Sequence, residues 1–153
     1  MDDLCSLCEA TGWPFHRRAS GRLSVNLEVP DRVLHAVIEE HGAYGIRMSV
    51  VLASGEAVPE VCRQALGVYL LTVSGIVRMA RSVGQVEEEQ TSIGFEVVFA
   101  SQPSSSEFVH ALSALSVATR ISGSEAVAIL DKGIAEAYLV HRKWIPDAHQ
   151  ETF

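Results

Sequence analysis

What is scarce in this sequence argues against expecting export, membrane insertion or nucleic-acid binding. Cysteine occurs three times, an odd number and too few for a disulfide framework, in a chain of 153 residues that can bury an ordinary core without staples. Lysine is scarcer: two stand among ten scattered arginines, and the net charge is −7, so the basic footprint that nucleic acid requires is missing. The longest uncharged run, Gln64 to Val77, has 14 residues and contains Ser74 and Gly75, short of the roughly 18–20 that a membrane-spanning helix needs. The start, Met1-Asp2-Asp3, is acidic where a secretory leader is basic. These shortages lead us to expect a protein of the reducing cytoplasm, with neither membrane nor nucleic acid as partner. What is present is a globular composition, 48% hydrophobic and 20% charged.

Periodicity predicts the elements. Asp2 to Thr11 reads as a helix, with Leu4, Leu7, Cys8 and Thr11 at 3–4 spacing, stopped by Gly12 and Pro14. Three strands follow: Arg22 to Val29, Val33 to Glu40 and Tyr44 to Leu52, each alternating apolar and polar positions and joined by short turns into an antiparallel meander. Val58-Pro59-Glu60 opens a long helix running to about Ala80, with proline where a missing N–H is harmless. Arg81 to Val86 and Ile93 to Phe99 read as a second hairpin across the charged turn Glu87-Glu88-Glu89. Ser104 and Glu107 have capping-box spacing, and the helix behind them is expected to be interrupted at Gly123 and to restart at Ser124-Glu125, ending near Trp144. Residues 1–146 are thus expected to form a single α+β domain, with helices segregated from a mostly antiparallel sheet, and 147–153 a flexible tail.

No motif writes out a chemistry. Cys5 and Cys8 have metal-like spacing, but the second ligand pair that zinc needs is missing, and a redox pair would follow a strand; they read as two small apolar residues on the buried face of the first helix. Glu39 and His41 share a strand face while Glu40 points the other way, which reads as a solvated strand end. His110 and His141 lie on different helices, and Gly42 and Gly45 belong to a hairpin with no phosphate-cradling loop. Trp13-Pro14-Phe15 reads as an aromatic seal at the end of a core. No catalytic, cofactor or metal residues are therefore assigned. An enzymatic or small-molecule site invisible as a motif is the alternative.

The order helix, meander, long helix opened by Val58-Pro59-Glu60, hairpin and C-terminal helices resembles the type III secretion chaperone-like superfamily over nearly the whole chain. Gly12-Trp13, the apolar strand Ile93 to Phe99, and Phe108, Leu112 and Leu115 in the following helix are similar to the YbjN-type bacterial domain, while small size and acidity resemble chaperones of the Tir-chaperone type. Ser74 departs from the family, standing where an Asn often ends the central helix. The resemblance implies a non-catalytic homodimer that binds other proteins, either as a chaperone holding an extended partner segment, often along a sheet edge, or as a regulator. On the central helix the apolar arc spans about 200°, roughly twice what one sheet covers, so either the C-terminal helices or a second copy must cover the rest. With the dimer that the resemblance implies, the expected interface is Val61, Ala65, Val68, Tyr69, Thr72, Ile76 and Met79.

Overall fold

A computed structural model describes residues 2–30, 32–55, 58–74, 79–86 and 91–147. The chain opens with helix α1 (Asp2–Thr11), which ends where Gly12 takes a positive φ of 72° and the Trp13 N–H donates to Thr11 Oγ1 at 3.0 Å. Strand β1 (Phe15–Arg17) comes next, a three-residue element that periodicity cannot announce, being shorter than two alternations. The meander follows as β2 (Leu23–Val29), β3 (Arg32–His41) and β4 (Gly45–Gly55), each within a few residues of its expected bounds. After helix α2 (Glu60–Ser74) come β5 (Arg81–Val86), with the expected limits, and β6 (Thr91–Phe99). The expected turn at Glu87-Glu88-Glu89 lies outside the described residues.

Six strands form one antiparallel sheet in the order β1-β2-β3-β4-β6-β5. The chain leaves β4, passes through α2 to the far edge as β5, and returns as β6 in between. Leu23, Val25 and Leu27 of β2, Ala36 and Ile38 of β3, Ile46, Met48 and Val50 of β4, and Phe95 and Val97 of β6 are buried on one face of the sheet. Helix α3 (Ser105–Ala128), roughly 36 Å long at 1.5 Å per residue, lies across that face against β2, β4 and β6. Its buried stripe, Phe108, Ala111, Leu112, Leu115, Ala118 and Ser122, follows the 3–4 spacing of an amphipathic helix. The Ser104–Glu107 capping box forms as its spacing predicts: Glu107 N–H donates to Ser104 Oγ at 3.2 Å and Ser104 N–H to a Glu107 carboxylate oxygen at 2.7 Å. These hydrogen bonds hold the Glu107 carboxyl below its usual range.

Three expectations need correction. Gly123 does not interrupt α3. It is buried, and a Cβ there would stand 3.3 Å from Leu52 Cδ2, so the missing side chain lets the helix seat against β4. The break comes instead at Ile129 to Asp131, where Asp131 caps helix α4 (Lys132–His141) by accepting from Ile134 N–H at 3.1 Å. The central helix does not reach Ala80 either: α2 is described as Glu60–Ser74, and Met79 has a left-handed φ of 75° that no α-helix contains.

The third correction concerns what covers α2. Helix α4 of the same chain packs along it, and Ala65 and Tyr69, placed by expectation in an interface with a second copy, belong to the protomer's own core. The Tyr69 hydroxyl donates to Glu125 Oε2 at 2.7 Å, its ring meets Tyr138 edge-on at 6.0 Å, and the Cys62 thiol donates to the Leu130 carbonyl at 3.4 Å. Val61 and Val68 are half-buried against that core, Thr72 is exposed, Met79 lies half-exposed beyond the helix, and Ile76 falls outside the described residues.

Candidate binding face and strand edge

Helix α3 covers the apolar face of the sheet, with α1 packed on α3, α2 against β5 and α4 along α2, and the opposite face carries a different order. Alternation along each strand sends there Ser24 and Asn26 from β2, Val37 and Glu39 from β3, Arg47, Ser49 and Val51 from β4, Gly94, Glu96 and Val98 from β6, and Arg81 and Val83 from β5. The pairing registers bring five charged side chains into one line. Arg22, just before β2, lies 2.8 Å from Glu39 through Nε. Glu39 stands 3.7 Å from Arg47, Arg47 Nε is 3.1 Å from Glu96 Oε2, and the Arg81 Nε–H donates to Glu96 Oε1 at 2.6 Å, with its Nη2 beside the same oxygen. The signs alternate, plus to minus to plus to minus to plus, across five successive strands. The Arg47–Glu96 contact is an ion pair rather than a hydrogen bond: the distance is short, yet the N–H is not aligned on the carboxylate.

Glu96 is the buried member of this ladder, its side chain 8% exposed, whereas Arg81 at the sheet margin is 68% exposed. A carboxylate can be held at that depth because guanidinium groups approach it from both neighbouring strands. Beside it, Gly94 permits a close approach: a Cβ there would collide with the Val50 carbonyl, where the pairing of β4 shifts register between Val51 and Ala53. The missing side chain leaves a shallow dip of about 70 Å³ bounded by Arg47, Val51, Val83 and Glu96.

The two margins of the sheet are unequal. Strand β1 offers three residues, preceded by Pro14 and ending in Arg17. Strand β5 offers six, with one charge and no proline, and no strand among the described residues pairs with its outer side. Short, charged and proline-flanked edges are blunted against further pairing; long, sparsely charged ones are open to it.

Residues singled out in the sequence take plain places. Cys5 and Cys8 are buried free thiols on the inner face of α1, with Cys8 pushed up to about 11 by burial, Cys5 and Glu9. Cys62 is raised by burial first and by Asp131 second, and Tyr69 by burial and then by Glu125. Each of these displacements has a packing cause. Glu39 belongs to the ladder, while Glu40, His41, His110 and His141 are exposed, and among the described residues no three His, Cys, Asp or Glu side chains gather as a metal site would require. Trp13 and Phe15 pack half-buried against the core, as an aromatic seal would. Gly42, Tyr44 and Gly45 border an open hollow of about 320 Å³ at the β3–β4 turn. No described helix is long and apolar enough to cross a membrane. Sequence reading gave Glu96 no role and named Arg81 only as the first residue of a strand; their one signal is a charge between apolar alternate positions on strands that turn out to be neighbours.

The fold also has a precedent. The chain is similar in structure to YbjN of E. coli. That protein, proposed to be a transcription regulator, matches with a TM-score of 0.54 over 81% of this chain and 91% of its own, at 12% sequence identity. No family model matches the sequence, and neither does any curated protein. At such identity the likeness to YbjN establishes a shared α+β fold and carries no side-chain roles with it.

Proposed function

We propose that the protein is a non-catalytic, protein-binding module, chaperone-like or regulatory, that takes an extended segment of a partner alongside β5 as a seventh strand. One observation carries this reading: the open β5 edge, set against the blunted β1 edge of the same sheet. Main-chain hydrogen bonds along such an edge supply affinity, and alternate side chains supply selectivity. The resemblance to secretion chaperones, which hold extended partner segments, supports the same use. YbjN's proposed place in transcription regulation fits a protein that acts by holding another protein. A cytoplasmic homodimer completes the proposal; since Ala65 and Tyr69 are internal, the exposed surface α2 offers a second copy includes Leu71 and Thr72.

Proline scanning tests it. Peptides selected by display against the intact chain are measured against variants with proline at each position from 82 to 85. Alternate positions direct their N–H away from β6, and there proline is expected to abolish peptide binding while the urea midpoint stays within error of the parent. Selected peptides that bind every proline variant as tightly as the parent refute the edge.

A further inference from the structure

Arg81 and Val83 point from the open edge to the ladder face of the sheet, and this pair gives the edge a preference. The four ladder strands inward of β5 carry, in order toward it, Arg22, Glu39, Arg47 and Glu96, each in contact with its neighbour of opposite sign. Arg81 continues the series on the last strand and ends it on a cation. Directly opposed side chains on adjacent strands lie about 5 Å apart, so a residue on an added strand opposite Arg81 occupies the next rung. A cation there meets repulsion from a guanidinium; a carboxylate meets a donor already oriented by Glu96 and largely exposed. Two residues along the same face, the added strand passes Val83, which is half-buried and uncharged.

We infer that the partner segment seated on β5 is an acidic one: it places an Asp or Glu opposite Arg81 and an apolar, strand-favouring residue two positions away, opposite Val83. The inference rests on the strand-addition reading and adds to it the chemistry of the occupant. The charge rung contributes selection more than affinity, because Arg81 sits at a solvated margin where cross-strand ion pairs change binding about twofold to fivefold.

The probes are ten-residue peptides of alternating Thr and Val with Gly-Ser ends, in which one Glu, Gln or Lys is moved through each position. Binding to the intact chain is followed by fluorescence anisotropy. At one position Glu is expected to bind about threefold tighter than Gln and Lys weaker than both, the difference shrinking as salt is raised from 0.05 to 0.5 M. Arg81→Gln should erase the preference without abolishing binding, and Arg81→Glu should turn it toward Lys; Arg81→Lys retains it, which separates charge from folding defects. Peptides that bind irrespective of charge overturn the acidic segment and leave the edge standing. A Glu preference that survives Arg81→Gln overturns it too, whereas failure of all peptides to bind removes both readings.

Discussion

Glu96 is the residue on which the outer face depends. Its carboxylate is buried between Arg47 and Arg81, so replacing it with Gln leaves two cations side by side without their shared counter-charge. Both arginines are partly solvated, which moderates the cost, and Glu96→Gln is expected to lower stability by about 1–2 kcal/mol in urea unfolding, against well under 1 kcal/mol for removing the exposed Arg22. In the sequence this residue reads as a wet position between Phe95 and Val97, and with reason: its partners lie 49 residues before it and 15 before it, and strand order alone brings them together. The thiols were more legible. Cys5 and Cys8 are buried small residues as their helical spacing implies, and replacing both with Ala is expected to cost about 1–3 kcal/mol in sum. Cys8 also sets a pH dependence. Its thiol rises from the ordinary 9.0 to about 11 in the folded chain, so below pH 9 folded and unfolded forms are both protonated and the contribution is intact. Between 9 and 11 the unfolded thiol releases its proton first and stability falls; Tyr69, raised in the same sense, adds to the loss at higher pH. A urea midpoint steady from pH 7 to 9 and declining from 9 to 11, less steeply in Cys8→Ala, is the expected result.

At the scale of elements, hydrophobic period marks every described helix and all the described strands but the shortest, and it errs where a residue serves packing rather than local conformation. Gly123 reads as a helix stop, yet it lies within a single helix because α3 needs a shallow surface where it crosses Leu52. Gly123→Val should therefore destabilise by about 1–3 kcal/mol through overpacking, measured by thermal unfolding. The real punctuation is at the caps. Ser104→Ala and Asp131→Ala are each expected to cost about 1 kcal/mol, and to add in the double variant, because they start different helices. The breadth of the apolar arc on α2 correctly called for two covers, but a wheel diagram cannot say whose helix supplies the second. Tyr69, Tyr138 and Glu125 answer for this chain, so Asp at Val68 probes the protomer's fold as much as any contact between copies.

For the molecule as a whole, one-sided layering was legible from alternation alone, whereas the insertion of β6 between β4 and β5 was not, since no local pattern records which strand a returning chain will choose. The proposed homodimer is checked by light scattering at tens of micromolar, where twice the 16.6 kDa chain mass is expected and a single chain mass removes it. Stoichiometry follows from the unequal margins of the sheet. In the language of polymer chemistry the protomer is monofunctional: hydrogen-bonded growth can pass beyond β5 but finds at β1 three residues and a preceding proline, an end group rather than a template. Strand addition thus terminates after one event per chain, whether the newcomer is a foreign segment or a second copy. Raising the concentration fills that single valence and then stops, so the strand addition proposed above favours pairs over filaments even though it uses an exposed edge.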